Sequence, residues 1–553
     1  MFYSTPLSVR SDVTATLENV KNKYAEAENA LYDINYGYVS EKLDVCKGLI
    51  DSVDGSVNDG DPLDAINSLY EITLILADLE EAMITDKAVE ERSVWFRSTV
   101  KSDADVLAVI EKCVAYNINA IYVETWYNGK TIGKTTNPLI QHYTAQHGDY
   151  DALEGFIRIG HEHGIQIHAW VENFFIGTTS QKDSDPQHIS NHNKEWILLD
   201  KNGKDHYVSA EYGNFIFLNP QNRECRDLVL SIYRELLENY ELDGLHLDYI
   251  RYPEHNGNAD FGYNKDTIKA FQKEYGYSTD PRNYQPGTQQ YRDWISFRRN
   301  VITSFVKEVF DLVNEVRPEA WLTAACYPSL SDAPNNIYQH TAEWVKQGYI
   351  DQVFSMTYSD GTEYVANNAT SFINACKDKA LYSTGLTLFS GNPGEELLSQ
   401  INATREVGAT GQALFSLSSL LGFEEYENVI MNYAYRTKAV SLFDVDGAII
   451  AYAEDLLKKC DGVYSEHTTG QEAVISSVKK LLEDIKTEAS KQEYSTVEEY
   501  KALLAYTLEK ADAILAEAEK ADGALKNALE REVGEMDYNL SILYKRMEAK
   551  TAK

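Results

Sequence analysis

Between residues 93 and 417 the sequence repeats one pattern, a short apolar or alternating run followed by a stretch of helical periodicity. The runs fall at 93–99, 120–126, 165–174, 244–250, 321–327, 352–358, 381–389 and 411–417. Strands that alternate with helices demand a parallel sheet, because a parallel neighbour is reached only through a crossover of a dozen residues or more. Eight such units predict an α/β fold, a (β/α)8 TIM barrel with long loops. A doubly wound open sheet shares the alternation. Against it stand the missing GxGxxG turn after the first strand and a placement of polar residues that suits a barrel.

Both ends of the chain have a different texture. Leu17, Val20, Tyr24, Ala27 and Leu31 recur at helical steps near the start, and residues 65–84 form another apolar-periodic stretch. Val474, Ile475, Val478, Leu481, Leu482 and Ile485 make one stripe near the end, and Leu503, Leu504, Leu508, Ala511, Leu515 and Ala518 another. The expected organisation is a helical region over 1–91, a barrel over 92–436 and a helical bundle over 437–553. Asp, Gly, Asn and Pro crowd into residues 51–62, which predicts a solvated loop; the ordered acid series of a calcium loop is missing.

Charge narrows the function classes. The 86 acids outnumber the 51 bases by 35, which argues against a phosphate-tracking nucleic-acid binder and against docking on an anionic membrane. No run approaches the ~18–20 apolar residues of a membrane span, and residues 1–6 lack the basic and apolar segments of a signal peptide. Six cysteines are scattered without metal-type or disulfide-framework spacing, so no cofactor or metal is implied. Aromatic residues make up 11% of the chain, and flat amphipathic rings suit sugar stacking.

Alternation along each strand separates a helix-facing side from an inner side. Over 120–126 the inner set is Tyr122, Glu124 and Trp126; over 165–174 it is Gln166, His168, Trp170 and Glu172; over 244–250 it includes His246 and Asp248. Glu124, Glu172 and Asp248 thus end three strands at the C-terminal mouth, where barrel enzymes keep their active sites. Three acids brought together raise one another's pKa, and Arg97 and Arg251 balance only part of that charge. Acid/base chemistry wants this arrangement, with one carboxyl protonated and another ionised, and glycoside hydrolysis uses such a pair. Trp95, Trp126, Trp170, Tyr327 and Tyr358 are candidate sugar-stacking rings, and Asp360 is a reserve acid at the mouth. Asp243, at the start of its strand, is placed to brace. The inward histidines, His168 and His246, leave open a metal-dependent deacetylase, although no HExxH pattern accompanies them.

At these residues the chain resembles the glycosyl hydrolase-like family 10 barrels. The resemblance rests on Asp243-Gly-Leu-His-Leu-Asp-Tyr-Ile-Arg-Tyr-Pro253, supported by Arg92-Ser-Val-Trp-Phe-Arg97, Ala120-Ile-Tyr-Val-Glu124, His168-Ala-Trp-Val-Glu-Asn173, Phe217-Leu-Asn-Pro220 and Gln352-Val-Phe-Ser-Met-Thr-Tyr358. It spans about residues 92–428 and leaves out both helical ends. It implies a TIM barrel acting on O-glycosidic bonds of bacterial cell-wall or surface polysaccharides or O-glycans, at the cell surface or outside the cell. Strand five ends in Ala325-Cys326-Tyr327-Pro328 with no acid, unlike amylase-type barrels. Asp248 is therefore the expected anchor, as nucleophile or general acid, with Glu172 or Glu124 as partner. Asn173, His168, His246 and Arg251 are candidates to hydrogen-bond sugar hydroxyls. An amino-sugar substrate, whose acetamide can itself be the nucleophile, fits a site with one strong protein acid. A non-catalytic carbohydrate-binding barrel is the alternative, with the helical ends as contacts to cell wall or another protein.

Overall fold

The computed structural model describes residues 6–59, 62–209, 213–255, 259–359, 361–388, 393–491 and 494–551. Eight strands, β1 (Glu91–Phe96), β2 (Ala120–Tyr127), β3 (Gln166–Val171), β4 (Gly244–Leu247), β5 (Trp321–Cys326), β6 (Gln352–Met356), β7 (Leu381–Thr387) and β8 (Gly411–Phe415), run parallel in sequence order. β1 pairs with both β2 and β8, which closes the sheet into a barrel. Each strand lies within one of the predicted runs or departs from its ends by a few residues. The runs extend past the last ladder bond because the same residues go on to form the mouth.

The alternation read from sequence has a physical counterpart in two separate apolar clusters. Val94, Phe96, Ile121, Val123, Ile167, Ala169, Leu245 and Leu247 face the surrounding helices in the large outer core. Trp95, Tyr122, Trp170, Ala325, Phe354 and Ala413 fill the barrel, with Met356 and Phe415 against them. Trp126 breaks the pattern. The β2–β3 register shifts between Glu124 and Trp126, so the Trp126 ring joins the helix-side core and its Nε1 donates to the Asn173 carbonyl at 3.3 Å. A one-residue slip turns a side chain to the other face, and the inward placement expected for Trp126 is corrected accordingly.

A three-stranded antiparallel arm, formed by Phe175–Thr178, Gly213–Phe217 and Tyr207–Ser209, rises from the long connection after β3. A second excursion, after β4, packs Tyr263, Phe271, Trp294 and Phe297 into its own small core. The chain divides into two compact units, one of residues 89–448, 493–504 and 539–553, the other of residues 1–88, 449–492 and 505–538.

In the second unit, α1 (Pro6–Ala30), α2 (Tyr36–Asp59) and α3 (Pro62–Ala82) bury Leu17, Val20, Val39, Val53, Leu69, Ile72 and Leu79 together. The loop expected over 51–62 is helical as far as Asp59, and Pro62 opens the next helix; residues 60 and 61 lie outside the described residues. Burial of Val53 in that cluster outweighs the turn preference of its polar neighbours. Among the described residues no helix is long and apolar enough to cross a membrane.

Candidate active site

Three strand ends deliver the acids to one place. Glu124, Glu172 and Asp248 are 1%, 2% and 7% exposed. Arg97, which follows β1, donates from Nε to Glu124 Oε1 at 2.7 Å and brings Nη2 to 3.6 Å from Glu172 Oε1. Its guanidinium lies over the rings of Trp170, at 5.1 Å, and Phe415, at 5.8 Å. The Glu124 and Glu172 carboxyls are within hydrogen-bonding reach of each other, while the second oxygen of each is buried without a donor. Two buried carboxylates beside a single cation disfavour one another's ionisation.

The electrostatics divide the acids. Burial, with Glu124 and Asp248 nearby, holds Glu172 well above the usual carboxylate range. Burial also raises Glu124, but Arg97 pulls it back. Burial raises Asp248, opposed by the Tyr249 N–H, which donates to Oδ1 at 2.6 Å, and by Trp170 Nε1, which donates to Oδ2 at 3.1 Å. Of the two, Glu172 is held the more strongly toward its protonated form.

The backbone that positions these acids is unusual. Asn173 and Tyr249, the residues after Glu172 and Asp248, have φ of 43° and 48°, in the left-handed region that non-glycine residues seldom enter. Asn173 Nδ2 donates to the Asp248 carbonyl at 2.6 Å and to the Val171 carbonyl at 3.2 Å, and its Oδ1 accepts from the Tyr233 hydroxyl at 2.8 Å. Asn173 is thus a fully buried tie between the ends of β3 and β4, not a group free to bind sugar hydroxyls. The turn at Tyr249 stacks its ring on Phe175 of the antiparallel arm at 4.8 Å.

Several other expected contacts are relocated. His246 accepts from Trp95 Nε1 at 3.1 Å and is 2.8 Å from Thr323 Oγ1, so its proton sits on Nδ1; burial keeps the ring neutral. His168 is buried against Tyr122, with ring centroids 4.7 Å apart, and burial lowers it to about 4. Trp95 is 2% exposed. These three fill the barrel interior beneath the acids, and none can stack on or hydrogen-bond a sugar at the mouth. Trp170 is equally buried and serves as a donor to Asp248 rather than as an open platform.

Tyr358 and Tyr327 are half-buried at the mouth, Tyr358 stacked on Phe415 at 5.4 Å. Arg251 is half-buried, with its guanidinium 4.7 Å over the Tyr249 ring. Asp360 lies outside the described residues. Asp243 sits at the foot of β4, where it accepts from the Ile167 N–H at 2.6 Å and from His161 Nε2 at 2.8 Å. Among the described residues no group of three or more His, Cys, Asp or Glu is arranged to hold a metal ion.

Tyr249, Phe415 and the arm residue Phe175 escaped the sequence reading. Phe415 was legible, since it continues the inward alternation of β8 after Ala413. Tyr249 was not, because the positive φ that turns it toward the arm leaves no mark on hydrophobic periodicity.

The family model for glycosyl hydrolase-like 10 matches residues 90–405, more than half of the chain. The chain belongs to the glycosyl hydrolase-like 10 family. Family membership and the site together support a function of the glycoside hydrolase type. Among curated relatives, an S-layer-related protein of Niallia circulans is 32% identical over 185 residues, covering 31% of this chain and 11% of that protein. Glycosyl hydrolase YngK of Bacillus subtilis is 20% identical over 303 residues, covering 49% of this chain and 54% of YngK. The chain thus spans about half of YngK and a small part of the S-layer-related protein. The glycoside hydrolase domain of PgaB (BpsB) from Bordetella bronchiseptica superposes with a TM-score of 0.50 at 11% identity, over 63% of this chain and 100% of that domain, a likeness of fold.

Proposed function

We propose that the barrel is a glycoside hydrolase that cleaves an O-glycosidic bond with its own carboxyl groups. The observation that carries this reading is the trio of buried acids, Glu124, Glu172 and Asp248, gathered at the mouth around Arg97. A structural role for three such acids would require a cation for each, since burying an unpaired charge is costly. Glu172, held toward its protonated form by burial and its acidic neighbours, is the general acid that protonates the departing glycosidic oxygen. Asp248, which receives two N–H donors, is the anion that attacks the anomeric carbon or activates water. On an amino-sugar substrate the acetamide takes the nucleophile's place and Asp248 orients it. Glu124, tied to Arg97, keeps the proton on its neighbour.

The substrate is an oligo- or polysaccharide of a bacterial surface or cell wall, or a host O-glycan, and the enzyme works at the cell surface or outside the cell. The name of the Niallia relative, an S-layer-related protein, supports this setting. The helical ends are then contacts to cell wall or another protein. The test is incubation with peptidoglycan strands, exopolysaccharides and mucin-type O-glycans, read by mass spectrometry. The wild type releases shorter products, and Asp248→Asn, folded and still binding, is slower by at least ~10³-fold, the scale on which single catalytic groups act. Full activity of Asp248→Asn refutes the assignment; binding without cleavage by the wild type points to a carbohydrate-binding barrel instead.

A further inference from the structure

Two guanidinium groups stand at the mouth, and they are used differently. Arg97 is spent on Glu124 and Glu172. Arg251, three residues after Asp248, makes no ion pair with any carboxylate among the described residues, although acids outnumber bases 86 to 51. Among the described residues its one hydrogen bond is from Nη1 to the Tyr252 carbonyl at 3.3 Å, and its Nε is buried with no acceptor. The Tyr249 ring beneath it, 4.7 Å away, holds the guanidinium from one face.

Arg251 stands at the mouth, where its charge acts on Asp248 and Tyr249 and also on Tyr207 and Tyr327. Glu254 acts on the same two outer tyrosines without forming an ion pair with Arg251. A buried donor without an acceptor is a standing cost, relieved when a bound group supplies the oxygen. Planar guanidinium groups match carboxylate and phosphate oxygens in pairs, which a neutral hydroxyl cannot do.

We infer that Arg251 docks an anionic substituent, a carboxylate or a phosphate, on the sugar bound beside Asp248, so that the preferred substrate is an acidic glycan. The position next to the cleaved bond rests on the hydrolase reading; the binding preference does not. The chain's net negative charge does not oppose it, because charges beyond ~8–10 Å are screened at physiological salt and only the local pair is felt.

Matched probes test this. Peptide-free peptidoglycan strands and hexuronate oligosaccharides, each native and carboxyl-reduced, are compared with a phosphorylated oligosaccharide and a neutral chitooligosaccharide, by binding and by cleavage. The wild type is expected to prefer at least one anionic member by tenfold or more over its neutral counterpart, and the winning member identifies carboxylate or phosphate. In Arg251→Gln that ratio falls to within about twofold. It is unchanged in Arg292→Gln, a control at an exposed arginine whose guanidinium bonds Gly287 and Gln289. Equal use of charged and neutral partners by the wild type, binding of neither, or a ratio that survives in Arg251→Gln overturns the inference. Anion-selective binding without cleavage sinks the hydrolase reading and leaves this one standing; cleavage without anion preference does the reverse.

Discussion

At the scale of single residues, position along a strand decides which way a side chain points. Glu124, Glu172 and Asp248 end up together because period-two alternation carries a side chain inward wherever the ladder is regular. Periodicity loses its hold where local backbone departs from the ladder. Trp126 sits past a register shift, and Asn173 and Tyr249 adopt positive φ, so their directions are set by tertiary contacts that no periodicity records. Tyr233, on the helix Arg223–Asn239, was invisible for the same reason, since its partner Asn173 is 60 residues away. Tyr233→Phe leaves Asn173 Oδ1 buried without its donor, at a cost of about 1–3 kcal/mol in stability by urea unfolding. Because Asn173 ties the end of β3 to Asp248, kcat is expected to fall about tenfold while KM stays within about twofold. A loss of stability with unchanged kcat at saturating substrate assigns the tie to folding alone.

At the scale of elements, the barrel was legible and its last support was not. The final helix, Gly523–Thr551, carries Arg546 and Lys550 into the foot of the barrel unit. Arg546 Nε lies 2.7 Å from Asp351 Oδ1, Lys550 Nζ lies 3.3 Å from Asp351 Oδ2, and the Lys550 ammonium rests 4.4 Å over the Trp321 ring. All three charged side chains are at most 3% exposed. In sequence, Arg546 and Lys550 look like the solvated face of a charged helix, because Glu and Lys at four-residue spacing normally are. Asp351 is the carboxylate that both buried cations share, so removing it strands them both. Asp351→Asn is therefore expected to lower stability by about 3–5 kcal/mol, read as a fall in denaturation midpoint with the barrel's aromatic circular dichroism as probe. A midpoint within experimental scatter of wild type contradicts that placement.

At the scale of the whole molecule, the charge of −35 marks most of the acids as surface groups, and only a few define function. Glu172 and Asp248 are both displaced upward by burial, and their requirements are opposite. In the proposed reaction Asp248 must be ionised, so activity is lost as pH falls through its raised pKa; Glu172 must be protonated, so activity is lost as pH rises through its own, higher one. The central claim, that this mouth is an acid/base device with its proton on Glu172, is tested most directly by the pH dependence of kcat/KM for wild type and Glu172→Gln. The measurement uses one glycan with a natural leaving group and one aryl glycoside that needs no protonation. The account predicts a bell for the wild type, and for Glu172→Gln a loss of ~10²–10⁴-fold on the natural leaving group, a much smaller loss on the aryl glycoside, and no alkaline limb. Equal losses on both substrates, or an alkaline limb that persists in Glu172→Gln, would contradict it.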